Sequence, residues 1–438
     1  MRLLHISDIH FRAPDCLNAD LDPDRPYRTR LIQDVRALVA NREPVGAILV
    51  GGDIAFRGDP REYEVAHEWL GELAQACGCH LARVFVIPGN HDVDRRVITS
   101  SPAVRNAQAA ISAAGNAHRE RELRIQLQCA ETAHALLAPI AAYNEFAKVF
   151  SCQIYGPEHL YWKQDLELQE GVRLRVYGLT STVMSGIRGG DDTRENLQLY
   201  LSPLQTVLDP VDDVVNLVLC HHPPDWLIDN DEVDESFCNR ASVHLLGHKH
   251  RQRVLRGDAF TRFSAGAVNP DRYVAGWQPG YNLIDVNVEL ELGRRVLAID
   301  ANVRYWQTNP ERFVSRETEE GELQFHHRVP IRGPRVAIPT PSDFLPAGME
   351  LGVEAEHAAE GQLDVESSMS DEGTRDLVYR FWKLTMSQRR EICLELGLIS
   401  NAELSLPEPE RYGRALLRAG ERKMLAEVGN EVSRRERA

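Results

Sequence analysis

Residues 1–11, MRLLHISDIHF, contain an apolar run that ends in two potential ligands, Asp8 and His10. Residues two apart in a strand project to the same face. The carboxylate and the imidazole would therefore point together beyond the carboxyl end of a strand formed by residues 2–7. In an open α/β sheet this is the edge where ligands collect. The stretch predicts a buried strand of an α/β sheet followed by part of a site.

Further apolar runs alternate with segments of helical periodicity. We predict strands at Arg2–Ser7, Ala47–Val50, Arg83–Ile87, Arg173–Leu179, Val214–Cys220 and Ser242–Leu246. We predict helices at Tyr27–Ala40 and Arg61–Ala76, where apolar residues recur at helical spacing. This alternation indicates a layered α/β domain, and strands that are almost wholly apolar indicate burial on both faces.

Composition divides the chain into three regions. We predict that residues 1–316 form the α/β domain. It would contain a helical insertion at about 102–150 and later strands at 281–288 and 295–305 that would finish a second sheet. Residues 317–373 gather Pro, Glu, Ser and Gly without periodicity, which is typical of a linker. Residues 374–438 regain helical periodicity and predict a small all-α domain.

Bulk properties narrow the class of protein. The 438 residues are 43% hydrophobic and 26% charged, with neither a membrane-spanning apolar run nor a basic leader before Asp8, so we expect a cytoplasmic globular protein. Eight scattered cysteines predict reduced thiols, and we interpret Cys77-Gly78-Cys79 as a helix end. A net charge of −15 argues against nucleic-acid binding over the whole surface but leaves a local basic groove open.

Four further apolar runs end in nitrogen or oxygen donors, as the first one does. They are LVGGDI with Asp53, VIPGNHD with Asn90, His91 and Asp92, LCHHPP with His221 and His222, and LLGHKH with His248 and His250. Glycines at 52, 89 and 247 precede the donors and permit close approach of the backbone. Carboxylates, an amide and imidazoles without a thiolate suit two borderline divalent cations. The general use of such a pair is in-line displacement at phosphorus.

The five motifs, in this order, resemble the signature of the calcineurin-like metallophosphoesterases over about the first 310 residues. The resemblance implies a layered α-β-β-α sandwich and a phosphoester hydrolase that uses a metal-bridging hydroxide. It implies two divalent metal ions, for which we favour manganese over iron or zinc. The ligands of the first metal would be Asp8, His10 and His250, with Asp53 bridging, and those of the second Asn90, His221 and His248.

One ligand assignment is ambiguous. In the family the ligand lies two residues before a proline, and both His221 and His222 meet that condition, through Pro223 and Pro224. We favour His221 because it follows the strand directly. His222 then takes a role on the substrate side.

The resemblance also assigns roles outside the metal ligands. His91 would face the substrate phosphate and stabilise the transition state or protonate the leaving oxygen. Asp92 would orient His91 or cap the following helix. We predict substrate contacts for Arg57 and Arg95. The insertion carries further arginines, which form either a phosphate-binding cap or a solvated helix face interleaved with glutamates: Arg105, Arg119, Arg121 and Arg124.

Three hypotheses follow for the function. The first, which we favour, is a phosphodiesterase acting on small nucleotide-type substrates, cyclic nucleotides included, as in bacterial members of the family. The second is a DNA or RNA nuclease. The third is an effector of a bacterial conflict system, recruited through C-terminal helices that loosely resemble effector-associated or death-like adaptor domains. Those helices would bind an adaptor partner or a second copy of the chain, and no membrane is expected to take part.

Overall fold

The computed structural model describes residues 1–156, 159–195, 197–269, 279–333 and 371–437. The strands are β1 (Arg2–Ile6), β2 (Ala47–Val50), β3 (Val84–Val86), β4 (Trp162–Glu167), β5 (Arg173–Gly178), β6 (Val214–Cys220), β7 (Val243–Leu246), β8 (Arg253–Arg256), β9 (Thr261–Ser264), β10 (Gly280–Glu291), β11 (Arg294–Thr308), β12 (Glu311–Ser315) and β13 (Phe325–Pro330). The helices are α1 (Arg25–Val39), α2 (Pro60–Cys77), α3 (Arg95–Ser100), α4 (Pro102–Ala113), α5 (Arg119–Gln128), α6 (Ala130–Leu137), α7 (Ala141–Ala147), α8 (Asn230–Arg240), α9 (Asp371–Lys383), α10 (Met386–Glu395), α11 (Glu408–Glu421) and α12 (Leu425–Glu436).

The first sheet contains the strand of the opening stretch. Its order is β12-β11-β10-β1-β2-β3, and β13 pairs with β11. β1, β2 and β3 are parallel and every residue in them is buried, as expected for strands covered on both faces. The prediction that the later strands finish a second sheet is wrong, because β10 pairs antiparallel with β1 and brings β11 with it. These two strands enlarge the first sheet.

The second sheet has the order β4-β5-β6-β7-β9-β8, with β5, β6, β7 and β9 parallel. The two sheets share one apolar core, to which Leu3 and Phe85 contribute from one side and Leu217 and Leu245 from the other. α1 and α2 pack on the first sheet and α8 on the second. This arrangement confirms the predicted α-β-β-α sandwich.

The helical insertion lies between β3 and β4 and consists of α3 to α7. Tyr143 of α7 anchors it, because its buried hydroxyl donates to the carbonyl oxygens of Val86 and Cys152, each 3.0 Å away. Val86 is the last residue of β3. The insertion is therefore attached next to the loop that carries Asn90 and His91.

The predicted linker is wrong in its first part. Residues 325–330 form β13, which pairs with β11 along its whole length. Only two of its six residues are buried, so its pattern is weaker than that of a central strand. The rest of the predicted linker, residues 334–370, lies outside the described residues.

The C-terminal helices α9 to α12 have an apolar core of their own, which includes Leu377, Phe381, Ile392 and Tyr412. They also pack against the catalytic domain. The guanidinium of Arg375 in α9, only 5% exposed, donates to the carbonyl oxygens of Ala82, Val84 and Phe150. The small all-α domain of the prediction is thus present and is attached at the amino end of β3.

Two smaller predictions concern cysteines and membrane spans. All eight cysteines are free, and α2 ends at Gly78 in the left-handed conformation, as predicted for the Cys77-Gly78-Cys79 step. Within the described residues, no helix combines the length and the apolar character needed to cross a bilayer.

Candidate metal centre

The five donor motifs meet at one edge of the two sheets. Four of them follow β1, β2, β6 and β7 directly, and the Asn90 turn follows β3 after a short loop. Ligand atoms lie within 4.8 Å of one another in two groups, one made of Asp8, His10, Asp53 and His250 and the other of His221, His222 and His248. We call the seven predicted ligands together the metal centre: Asp8, His10, Asp53, Asn90, His221, His248 and His250.

The first group surrounds the carboxylate of Asp8. Nε2 of His250 lies 2.9 Å from Oδ1 of Asp8 and 3.5 Å from Nε2 of His10. Nε2 of His10 is also 3.8 Å from Oδ2 of Asp53. Four donors thus surround one small volume, which matches the ligand set implied for the first metal.

Two members of the second group, His221 and His248, contact the side-chain oxygen of Asn90. Oδ1 of Asn90 lies 3.1 Å from Nε2 of His221 and 3.0 Å from Nδ1 of His248. Oδ2 of Asp53 is 3.4 Å from Nε2 of His221. The same oxygen of Asp53 therefore approaches both groups, as a bridging carboxylate must.

The contacts of His221 and His222 separate the two candidates for one ligand. Nδ1 of His221 lies 2.7 Å from the carbonyl oxygen of Gly51, to which it donates, and this directs Nε2 toward Asn90 and Asp53. Nδ1 of His222 instead pairs with the hydroxyl of Ser181 at 2.7 Å. His221 thus faces Asn90 and Asp53, whereas His222 lies beside His248 with ring centroids 4.6 Å apart, and its Nε2 is buried without a hydrogen-bond partner among the described residues.

The backbone at the centre is strained. Five of the seven ligands have positive φ angles, namely Asp8 (57°), His10 (53°), Asp53 (53°), His248 (69°) and His250 (53°). Non-glycine residues rarely occupy this region, and each such residue costs about 1–3 kcal/mol. Strain collected at one place is typical of a functional site.

A glycine at position 89 is required by the close approach of two loops. A Cβ there would lie 2.2 Å from Oδ1 of Asp53 and 2.4 Å from its backbone nitrogen. Gly52 is similar, since its φ is +92° and a Cβ would lie 2.8 Å from Nδ1 of His221. The predicted role of these glycines, close approach of the strand ends, agrees with the geometry.

Burial and mutual charge prepare the histidines to act as ligands. Burial lowers the pKa of His10 to about 3, helped by the neighbouring His91, and that of His248 to about 3, helped by His221. Both rings are therefore neutral at pH 7 and keep a lone pair. Burial is the largest influence on the two aspartates and opposes their ionisation, but the surrounding histidines together outweigh it, with His250 first at Asp8 and His221 first at Asp53. The pKa of each carboxyl therefore lies below its ordinary value.

His221 shows that the centre attracts positive charge. Burial alone would lower the pKa of its ring, yet Asp53 and then Asp8 raise it to about 9. Oδ2 of Asp53 and Oδ1 of Asn90 both converge on Nε2 of His221, at 3.4 and 3.1 Å. The donor set therefore fits divalent cations, and its carboxylates and imidazoles match those that manganese, iron and zinc accept.

His91 lies beside the donors and is held by Phe56. Its Nδ1 lies 3.0 Å from the carbonyl oxygen of Phe56, and its ring stacks on that of Phe56 with centroids 4.9 Å apart. The backbone N–H of His91 donates to Oδ1 of Asp53 at 2.8 Å. This bond directs the other oxygen of Asp53 toward the ligands.

Asp92 has neither of its two predicted roles. Its carboxylate accepts from the backbone N–H groups of Gly89, Ile54 and Ala55 and from the hydroxyl of Tyr63. The helix after it, α3, is capped by Asp94. Asp92 instead ties the Asp53 loop to the Asn90 turn, and burial followed by repulsion from Asp53 raises its pKa to about 6.

The predicted substrate arginines differ in their surroundings. Arg57 lies with its guanidinium carbon 5.7 Å from the ring centroid of Phe56, next to His91. Arg95 is ion-paired with Asp191. In the insertion, Arg119 is buried and Arg124 pairs with Glu120 at 2.6 Å. Arg119 and Arg124 are therefore already engaged within the chain.

Three residues at the centre were not identified from the sequence. Phe56 holds His91, Arg12 lies over the ring of Phe56 at 3.6 Å, and Trp226 contacts His248 with centroids 4.1 Å apart. Each lies within four residues of a motif. Proximity to a motif was thus the available signal, but it does not say which loop residues turn inward.

The geometry agrees with a comparison against protein families. A model of the calcineurin-like phosphoesterase family matches residues 1–252, more than half of the chain. The chain belongs to this family. The predicted membership in a family of metal-dependent phosphoester hydrolases is thereby confirmed, and the family match together with the donor clusters supports a dinuclear divalent-metal site. A second model, the GTPase-associated adaptor domain, matches residues 373–434, in place of the effector-associated or death-like type suggested by the sequence.

Two relatives show how far the likeness extends. The metallophosphoesterase-like protein YydB of Bacillus subtilis is 22% identical over 340 residues, which are 74% of this chain and 64% of YydB. The glycerophosphodiester phosphodiesterase GpdQ of Enterobacter lignolyticus is 35% identical over 92 residues, 21% of this chain and 30% of GpdQ. The chain thus spans less than two thirds of each relative.

Solved structures that are similar to this one have low sequence identity to it. GAP50, the anchor in the inner membrane complex of Plasmodium, is 10% identical with a TM-score of 0.36 and covers 76% of this chain and 89% of its own. Vps29 of Chaetomium thermophilum is 12% identical with a TM-score of 0.28 and covers 76% and 99%.

Proposed function

We propose that this protein is a dinuclear-metal-dependent phosphodiesterase that hydrolyses nucleotide-type diesters. The observation that carries the proposal is the position of Asp53, whose Oδ2 lies 3.8 Å from Nε2 of His10 and 3.4 Å from Nε2 of His221. The metal centre, with Asp53 shared between its two groups of donors, would hold two divalent cations, which would supply an activated water and screen the charge that builds on phosphoryl oxygens. Manganese is the proposed metal.

His91 is the proposed catalytic residue. With Nδ1–H donated to Phe56, the neutral ring has only a lone pair at Nε2, whereas the imidazolium has a proton there. The protonated form can donate to a phosphoryl oxygen and pass that proton to the leaving oxygen. Stacking on Phe56 fixes the plane of the ring, so the proton is delivered in one direction.

The charges around the centre favour a small substrate over a nucleic acid. A nuclease needs a continuous row of free Lys and Arg to follow the backbone. In the insertion, Arg119 is buried beside Asn116, Arg124 pairs with Glu120, and Arg105 donates to the carbonyl oxygen of Thr99. These arginines support the interpretation as a helix face and not as a clamp.

The test is hydrolysis with and without metal. Protein treated with a chelator should be inactive on bis(4-nitrophenyl) phosphate, and manganese should restore activity with two ions per chain by elemental analysis. 4-Nitrophenyl phosphate, a monoester with the same leaving group, is the matched substrate control and should be cleaved more slowly. Restored protein with no metal bound, or faster cleavage of the monoester, would contradict the proposal.

We also propose that the C-terminal helical domain binds a partner protein. The family that it matches is named for association with GTPases, which makes a GTPase-bearing protein the first partner to test. Its exposed apolar side chains include Met386 (61% exposed) and Leu394 (45% exposed) on α10. Met386→Glu with Leu394→Glu should abolish association in light scattering or pull-down and leave hydrolysis intact. A bound partner that withstands both changes would exclude this helix as the contact.

A further inference from the structure

Arg12 lies at the edge of the metal centre, two residues after the ligand His10. Its guanidinium carbon is 3.6 Å from the ring centroid of Phe56. That ring stacks on His91 and lies 5.9 Å from the ring of His10. Arg12 is therefore one aromatic ring away from the proposed catalytic imidazole and from a proposed ligand.

Arg12 has no acidic partner among the residues that the structure describes, since none of their carboxylates lies within ion-pairing distance of its guanidinium. Arg28, by contrast, pairs with Asp22, and Arg95 pairs with Asp191. The chain has 65 acidic residues and 50 basic ones, so carboxylate partners are plentiful. A half-buried arginine without such a partner, beside a phosphoesterase centre, has its charge available to another anion.

The contact with Phe56 also prepares the donors of Arg12. Stacking uses the face of the guanidinium and leaves the N–H groups at its edge free, in the planar arrangement that binds two phosphate oxygens at once. The cation–π contact holds the group in place before an anion arrives. Arg57 lies by the same ring, 5.7 Å from its centroid, and also lacks an ion pair in the described structure. Two free guanidinium groups thus lie around one ring.

We propose that Arg12, assisted by Arg57, binds a second phosphate of the substrate that is not the one being cleaved. The inference rests on the proposed function, since it takes the scissile phosphate to lie against His91. Groups bound at His91 and at Arg12 are separated by the ring of Phe56, a spacing suited to two phosphates on one sugar. The substrate class is therefore a nucleotide-type diester that carries a further phosphate on the same sugar.

The test uses two chromogenic substrates that differ by one phosphate. They are the 4-nitrophenyl ester of thymidine 5′-phosphate and the same ester with an added 3′-phosphate. Manganese-loaded full-length protein should prefer the second by about tenfold in kcat/KM, the value of one charge-assisted bidentate contact. Arg12→Gln should reduce the ratio to about one, and Arg57→Gln should reduce it in part. Arg294→Gln, an exposed arginine at a distant hairpin end, should leave the ratio unchanged.

Binding without turnover gives a second measurement. Thymidine 3′,5′-bisphosphate should inhibit the wild-type protein more strongly than thymidine 5′-phosphate, and Arg12→Gln should make the two inhibition constants equal. Arg12→Lys keeps the charge without the planar fork and should give an intermediate ratio. If circular dichroism shows that Arg12→Gln does not fold, Arg12→Lys provides the test in its place.

The outcomes separate this inference from the function on which it rests. Failure to cleave either ester would contradict the phosphodiesterase itself. Cleavage of both with a ratio that Arg12→Gln does not change would overturn the second-phosphate site alone. An equal loss on both esters would place Arg12 at the scissile phosphate or in folding, and would also overturn it.

Discussion

Asp53 is the side chain that approaches both groups of donors. Asp53→Asn keeps the shape but removes the charge that two cations would share, so we expect fewer than two metals per chain and turnover lower by more than about 100-fold. Elemental analysis and a chromogenic diester assay measure both. Asp285→Asn, the same change at a strand position that pairs with Arg2, is the control and should keep two metals. A fully loaded Asp53→Asn protein would exclude the bridging role.

His91 should behave differently from a ligand. His91→Asn removes the group that donates to the phosphate but leaves the seven donors, so we expect metal to be retained and turnover to fall by about 10² to 10⁴. Metal content and kcat are measured on the same sample. The exposed His326, changed to Asn, controls for loss of an imidazole and should alter neither. Loss of one metal in His91→Asn would make His91 a ligand.

The adjacent histidines offer a direct comparison. His221 contacts Asn90 and Asp53, whereas His222 pairs with Ser181. We therefore expect His221→Asn to lose about one metal per chain and His222→Asn to keep both, by elemental analysis after identical loading. The reverse result would exchange the two assignments.

The donors were predictable from sequence because each motif carries its own local signal, a strand end followed by a donor. Phe56 and Arg12 were not, because what defines them is a contact between loops that are far apart in the chain, at His91 and after β1. Asp92 shows the same limit. Its four hydrogen-bond donors come from three separate segments, and no spacing in the sequence encodes their meeting.

At the scale of elements, strand positions were easier to predict than strand partners. β2 and β6 have the predicted bounds, because continuous apolar runs mark central strands. The sheet to which β10 and β11 belong depends on pairing with β1, some 280 residues earlier. β13 was not predicted because its sequence is largely polar. It pairs only with β11, and few of the residues of β13 are buried.

The contacts of the insertion helices predict how hydrolysis depends on salt concentration. Because Arg119 and Arg124 are engaged within the chain, few phosphate contacts beyond the centre are available, and hydrolysis of a small diester should change little between 50 and 200 mM salt. A nuclease that makes several phosphate contacts would lose orders of magnitude in affinity over this range. Parallel titrations with bis(4-nitrophenyl) phosphate and with single-stranded DNA compare the two. Efficient, salt-sensitive DNA cleavage would favour the nuclease.

For the whole molecule, the decisive feature is that the C-terminal domain is attached to the catalytic domain by buried polar contacts. Arg375 lies over the ring of Phe85 at 4.1 Å while it donates to three carbonyl oxygens. A second contact joins the guanidinium of Arg414 to the carbonyl oxygen of Gly156 at 3.0 Å. From the sequence alone this domain reads as a unit on a tether, because the arginines that attach it look like ordinary helix-surface charges.

Removal of the C-terminal domain should therefore destabilise the catalytic domain without loss of metal from the metal centre. A chain that ends at residue 366 leaves the carbonyls of Ala82, Val84 and Phe150 without Arg375, and Arg375→Met does so with the domain still present. In Arg375→Met each carbonyl left buried and unpaired costs about 1–3 kcal/mol, whereas truncation exposes the carbonyls to water and removes the contact of Arg375 with the ring of Phe85. Both proteins should therefore unfold at a lower temperature than the full chain. Arg390→Met, an exposed arginine on α10, is the matched control and should leave the unfolding temperature unchanged.

Metal content and turnover in these variants distinguish an effect on stability from an effect on catalysis. Arg375 binds the amino end of β3, whereas the ligands lie beyond the carboxyl ends of the strands, so two metals and most of the turnover should survive below the unfolding temperature. Differential scanning calorimetry and elemental analysis on one preparation measure both. If Arg375→Met instead lost metal or turnover in the folded state, β3 would transmit the state of the C-terminal domain to Asn90, and binding of a partner there would regulate the centre.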